Sequence, residues 1–261
     1  MTAYALYNFK GGVGKTTTCV NLAYLAAAEG YRTLVWDVDP QGAASFYLKR
    51  QGGLNGHARD ILKDADAVHA YIQPTDHPNL DIIPGDVATR NLDLVLDSFK
   101  KANKKFKNLL QELKSSYDYI FIDCPPSLSR VAENLFRAAH FILFPMIPSP
   151  LSERTYGQVS EFFAANDYDE RKLFPFFNLV DRRRKLHKEI IREFSAAHQR
   201  TLHSYLPNSA TIERMGTERR PLPDFAPRHE TTRACKQLWQ DVKLMRKPKS
   251  RKEIAAGQLR N

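Results

Sequence analysis

Apolar residues fall along this chain in short, almost continuous runs separated by stretches with helical spacing. The runs are AYALYNF (3–9), TLVWDVD (33–39), LDIIP (80–84), YIFIDC (119–124), FILFPMIP (141–148), LFPFFNLV (173–180) and TLHSYLP (201–207). A strand-length run with little polar alternation predicts a strand buried on both faces, the habit of parallel sheets. Between the runs, TTTCVNLAYLAAAEG (16–30), FKNLLQELKSS (106–116) and LHKEIIREFSAAHQ (186–199) predict helices, and Gly30 stands where a C-cap belongs. The order predicts an α/β fold: a mostly parallel twisted sheet with helices on both faces. RQGGLNGHARD (50–60) reads as a glycine-bearing loop and RRPLPDFAPRHE (219–230) as a proline-rich surface crossing. Neither marks a boundary, so residues 1–246 read as one domain and 247–261 as a flexible basic tail.

Composition narrows the class. With 261 residues and 43% hydrophobic content, the chain can bury a substantial core. No run approaches the roughly 18 apolar residues that span a membrane. The N-terminus enters the first predicted strand without a charged-then-apolar leader, and Cys19, Cys124 and Cys235 show neither ligand spacing nor pairing. These features predict a cytoplasmic protein with reduced thiols.

The first candidate chemistry is NFKGGVGKTTT, Asn8 to Thr18, between a predicted strand and a predicted helix. Gly11, Gly12 and Gly14 let consecutive backbone N–H groups, that of Val13 among them, turn toward phosphate oxygens. Lys15 adds a mobile positive charge, the Thr16 hydroxyl is placed to ligate Mg²⁺ beside Thr17, and the helix points its positive end at the anion. The pattern departs from the ordinary phosphate loop, because Phe9 stands where its first glycine belongs and an extra lysine, Lys10, follows.

KGGVGKTT resembles the deviant Walker A loop of the ParA/MinD superfamily of P-loop ATPases. LVWDVDPQG (34–42) resembles that family's second motif, and YDYIFIDCPPS (117–127) its Walker B segment. With NLVD (178–181) and LPN (206–208), the resemblance runs from about residue 3 to about residue 245. Phe9 occupies a position where many members carry Gln. The resemblance implies ATP and Mg²⁺ as cofactors and an ATP-dependent homodimer, in which Lys10 reaches the partner's phosphates as an arginine finger would. It implies that Asp39 orients or activates the attacking water, that Asp37 is a nearby Mg²⁺ or water-shell partner, and that Asp123 holds Mg²⁺, usually through water. Asn178 and Pro207-Asn208 match positions around adenine, although members often carry Arg where this chain has Asn208. Independently of the resemblance, three aspartates that each close an apolar strand in a chain with a phosphate loop predict one site at the sheet's carboxyl edge.

Charge is unevenly distributed. Residues 1–99 carry 8 Lys/Arg against 11 Asp/Glu, so the net +10 of the whole chain arises entirely beyond them. The densest points are DRRRKLHK (Arg182, Arg183, Arg184, Lys185, Lys188), ERMGTERR (Arg214, Arg219, Arg220), KKANKKFK (100–107) and the tail RKPKSRK (246–252). Clustered Lys and Arg with few aromatics suit the phosphate backbone of double-stranded DNA more than base reading, and Arg182–Lys185 lacks interspersed acids in sequence. In ParA-like proteins the corresponding surface binds DNA non-specifically. The whole pattern predicts a ParA-like, partner-stimulated ATPase, nucleoid-associated in a prokaryote. It would segregate or position a plasmid, chromosome or protein cargo with a ParB-like or adaptor partner. No N-terminal helix-turn-helix is visible, so operator reading is not expected. The alternative is a MinD-like membrane-associated ATPase, but the segment after Met245 loses its apolar residues, which predicts no stable membrane insertion.

Overall fold

The computed structural model describes residues 1–53, 58–99 and 102–245. Its strands are β1 (Thr2–Leu6), β2 (Thr33–Asp37), β3 (Gln73–Pro74), β4 (Leu80–Ile83), β5 (Tyr119–Asp123), β6 (Phe141–Met146) and β7 (Leu173–Phe177). They form one sheet in the order β3-β4-β2-β5-β1-β6-β7, parallel throughout except for the antiparallel β3. The helices are α1 (Lys15–Ala28), α2 (Ala43–Tyr47), α3 (Ala58–Lys63), α4 (Leu92–Asp97), α5 (Lys105–Glu112) and α6 (Arg130–Ala138). After them come α7 (Pro150–Ala165), α8 (Lys185–Ala197), α9 (Ala210–Glu213), α10 (Met215–Glu218), α11 (Leu222–Phe225) and α12 (Glu230–Leu244). The expected sheet with helices on both faces is what the chain forms.

Alternation along each strand divides the core in two. Ala3, Ala5, Leu34, Trp36, Ile120, Ile122, Ile142 and Phe144 point to a layer filled from α3 to α8. Tyr4, Leu6, Val35, Phe121, Phe141 and Leu143 point to the other, filled by α1, α12 and the short helices before α12. On that second face Tyr4 stacks between Phe121 and Phe141, with centroids 5.2 and 5.4 Å away, and Trp239 of α12 meets Tyr119 edge-on at 5.2 Å.

Two expectations about strands are corrected. The two-residue β3 carries no apolar run. The segment 201–207, expected as a strand, instead runs beside β7 without forming a ladder. Leu202 and Leu206 donate their N–H groups to Pro175 and Phe177, and a single bridge joins Val180 to Pro207. A third correction concerns 219–230, which is not a mere surface crossing: Leu222 is buried and its N–H donates to Asn21 at 2.8 Å. The tail 247–261 and part of 100–107 lie outside the described residues. No helix among the described residues is long and apolar enough to cross a membrane.

Proline also shapes the centre of the sheet. Pro145 in β6 has no N–H to give, and pairing of β6 with β1 runs only from Tyr4–Phe141 to Leu6–Leu143. Just past it, Asn8 donates its side-chain amide to the Pro145 carbonyl at 2.9 Å. β1 therefore leaves the sheet where the phosphate-type loop starts.

Trp36, buried in the first layer and 5.3 Å from the Phe106 ring, joins β2 to α5. Trp36→Ala is expected to cost about 3–5 kcal/mol, read as a lowered urea midpoint with an unchanged m-value.

Candidate nucleotide site at the carboxyl edge of the sheet

In the parallel register, Leu6 pairs with Asp123 and Asp123 with Asp37. The ends of β1, β5 and β2 are therefore side by side, and the loop after β1 lies over two strand-end carboxylates. Gly12 and Gly14 take left-handed backbone, φ 73° and 85°, so the loop can coil back before α1 begins at Lys15. α1 has no side-chain cap and no acidic residue in its first turn. Its N-terminal amides and positive dipole end are open to an anion.

The loop is held from below. Asn8 Oδ1 accepts the Lys10 N–H at 2.9 Å. Asn178, expected beside adenine, is buried under the loop, donating to the Val13 carbonyl at 2.8 Å and accepting from the Leu179 N–H. A side chain at Gly14 would run into the Asn178 amide, which fixes glycine there for space as well as for φ. Pro207 and Asn208 lie beside a cavity of about 220 Å³ that is also lined by Val180, Asp181, Arg182, Arg183 and Glu230.

Lys15 is buried, and its Nζ donates to the Lys10 carbonyl at 3.0 Å. Burial lowers its pKa, while Asp123, Cys124 and Asp39 pull it back up. The Lys10 side chain lies outside the loop, on the first turn of α7, where Nζ donates to the Leu151 carbonyl at 2.8 Å. Burial and then Arg154 lower the Lys10 pKa. The two lysines thus have separate places, one inside the site and one on its rim.

The three aspartates differ. Asp123 is fully buried, and neither of its oxygens has a hydrogen-bond partner. The Thr16 hydroxyl lies near enough to temper its pKa. Burial first, and then the charge of Asp37, raise Asp123 well above the usual carboxylate range. A buried carboxylate with no donor, next to a threonine hydroxyl, is the donor set a hydrated Mg²⁺ fits. Asp37 is already engaged: Oδ2 accepts from the Ser45 hydroxyl at 2.6 Å and the Ser45 N–H at 2.9 Å, and Oδ1 from the Asp39 N–H at 3.3 Å. It is thus tied into the following segment, at the end of the strand next to Asp123. Burial raises its pKa to about 6. Asp39 retains some exposure and its Oδ1 accepts the Gln41 N–H at 2.9 Å. Cys19 and Cys124 are buried beneath the site, and burial raises both thiols well above the ordinary value.

A family model described as an AAA domain, AAA_31, matches residues 1–168, more than half of the chain. The chain belongs to that family, within the ParA/MinD superfamily of P-loop ATPases. It is 38% identical over 143 residues to the sporulation initiation inhibitor protein Soj of Bacillus subtilis, a match covering 54% of this chain and 56% of Soj. The chain thus spans about half the length of that relative. In fold it is similar to a Borrelia burgdorferi B31 protein assigned to plasmid partition and solved with AMPPNP. The TM-score is 0.79 at 21% identity, covering 92% of this chain and 98% of that one. It is likewise similar to a cobyrinic acid a,c-diamide synthase of Mycobacterium smegmatis solved with ADP and magnesium. There the TM-score is 0.72 at 23% identity, with 96% and 100% covered.

The basic clusters are more neutralised than their sequence suggests. Arg182 lies 3.9 Å from Glu230, Arg183 and Arg184 both reach Asp181, and Lys185 reaches Glu189. The run itself holds no acid, and its partners lie just before it (Asp181), just after it (Glu189) and in α12 (Glu230). Arg214 and Arg220 share Glu218. Arg219 takes left-handed backbone, φ 49°, and lays its guanidinium over Phe46 of α2, 4.6 Å from the ring, donating Nε to the Phe46 carbonyl. Lys188 lies in α8, on the turn that follows. These are solvent-exposed pairs, weakened by water and salt, which a phosphate can displace.

The Asp37–Asp123 pair makes a signed prediction for the ligand-free protein. Both carboxyls have folded pKa values above their ordinary 3.8. Their contribution is fully present below that value and is lost as pH rises through the folded values, about 6 for Asp37. Asp123→Asn should therefore melt higher than wild type at pH 7.5, the gap closing toward pH 4. A variant that melts at or below wild type across this range would contradict the charge crowding.

Proposed function

We propose that this protein is a ParA-type ATP hydrolase that binds Mg²⁺–ATP at the carboxyl edge and pairs face to face in the ATP state. The observation that carries the reading is the convergence on one edge of Lys15, Thr16, Asp39 and Asp123, with Lys10 outside the loop at the rim. Loop amides and the α1 N-terminus bind the phosphates, and Lys15 neutralises the charge that develops on them. Bound Mg²⁺, held by Thr16 and Asp123, would supply further neutralisation. Asp39, on a segment separate from the loop, accepts a hydrogen bond from the attacking water and orients it. Lys10 leaves Leu151 to reach the phosphates of a second copy, so that ATP acts as a dimerisation ligand. Pro207 and Asn208 border the base.

In the dimer, Arg182–Lys185, Lys188, Arg214, Arg219 and Arg220 bind the backbone of double-stranded DNA without sequence preference. Hydrolysis, stimulated by a ParB-like or adaptor partner, releases that state and moves or positions a cargo on the nucleoid. The membrane-bound alternative rests on the tail, which lies outside the described residues, and no observation favours it.

Lys15→Ala should abolish ATP binding, whereas Lys10→Ala should keep ATP affinity within about threefold and fail to dimerise or hydrolyse. Isothermal titration and sizing with ATP read both, and a Lys10→Ala protein that dimerises with ATP would overturn the role in trans. Replacing Arg182, Arg183 and Arg184 by Glu should remove DNA binding while leaving ATP-driven dimerisation intact. For wild type the affinity should fall steeply with salt, each lost phosphate contact lowering the log–log slope by about 1. Unchanged DNA retention by the triple variant would move the surface elsewhere.

A further inference from the structure

We propose that Ser45 is a positioning residue for ATP hydrolysis, its hydroxyl locking the segment that presents Asp39; the inference rests on the hydrolase reading above. Ser45 is buried and lies eight residues beyond Asp37 in sequence. Its Oγ donates to Asp37 Oδ2 at 2.6 Å and accepts the Gly85 N–H at 2.9 Å, while its own N–H donates to the same carboxylate oxygen at 2.9 Å. One hydroxyl therefore joins the end of β2, the start of α2 and the loop after β4. Only a group that donates and accepts at once can do this, and both Asp37 and Ser45 are almost fully buried.

The same three segments enclose Asp39. Upstream, the Asp37 Oδ1 accepts the Asp39 N–H at 3.3 Å. Downstream, the Gly42 N–H donates to the Asp39 carbonyl at 2.9 Å, and Gly42 holds left-handed backbone at φ 62°. From the side, Gly85 presses so close that an added Cβ would lie 2.8 Å from the Asp39 carbonyl oxygen and 2.9 Å from the Asp37 carboxyl carbon. The Asp39 backbone is thus fixed at three points, and two of them pass through the carboxylate and the loop that Ser45 bridges. Asp39 keeps a side-chain oxygen available for a water, whereas Asp37 spends its own on holding the frame. Removing the hydroxyl leaves the Asp37 carboxylate and the Gly85 amide without their shared partner. The segment then gains freedom where the attacking water must be aligned to a fraction of an ångström.

The test is Ser45→Ala, Asp39→Ala and the double variant in the full chain, with kcat, KM and nucleotide affinity measured for each. Ser45→Ala should lower kcat by about tenfold or more while KM, ATP affinity and the ATP-induced rise in melting temperature stay close to wild type. In the Asp39→Ala background the same change should cost less than about twofold, because a residue that acts through Asp39 has nothing left to position. Gly85→Ala, which pushes on the Asp39 carbonyl, should reproduce the loss of kcat. An unchanged kcat in Ser45→Ala, a loss shared equally by kcat and ATP affinity, or an effect that persists in full without Asp39 would overturn the proposal. A wild-type chain that binds no ATP and turns none over would instead overturn the hydrolase reading itself.

Discussion

Asp37 and Asp123 meet across adjacent strands at the buried end of the sheet, and two carboxylates that close with little water between them resist being charged together. Much of the surrounding structure manages this constraint. Lys15 places the nearest positive charge over the site, Thr16 faces Asp123, and Asp37 is supplied with three donors by its own downstream segment. Asp123 is left without a hydrogen bond, and a cation would relieve what the protein alone does not. Stability is given up locally so that a charged ligand is favoured, the usual trade at a functional site.

The arrangement follows from register more than from loop detail. In a parallel sheet, strand ends that are neighbours deliver their next residues to the same edge, and β1, β5 and β2 are neighbours although far apart in sequence. This explains which parts were legible beforehand. The apolar runs carried both the strands and the position of Asp37 and Asp123 at their ends, and the glycines with Lys15 carried the loop. β3 was invisible because two residues, one of them proline, leave no pattern. The run 201–207 misled because an apolar segment lying along an edge has the composition of a strand without its ladder. Ser45, Gly85 and Asn178 could not be assigned their contacts from spacing: each meets its partner across a turn, a neighbouring strand or most of the chain.

The charged surface shows a different limit. Net charge by segment was readable, but long-range pairing was not, since Glu230 reaches Arg182 only once α12 is packed beside the turn before α8. Arg219 would count as one more surface cation, yet it spends its guanidinium on Phe46 of the helix that follows Asp39. Composition records how many charges a surface has, and only the fold records which of them are committed.

Both margins of the sheet are partly covered. β3 ends on Pro74, whose carbonyl is taken by the Arg50 guanidinium at 2.7 Å. At the other margin two of the outward-facing residues of β7 are Pro175, which lacks an N–H, and Phe177, and the carbonyls of both accept from Leu202 and Leu206. Among the described residues each margin thus carries a proline and occupied carbonyls, which works against the edge-to-edge stacking that threatens open sheets. For the ATP-timed pairing proposed above this matters: if the sheet could lengthen unaided, concentration alone would decide when copies meet.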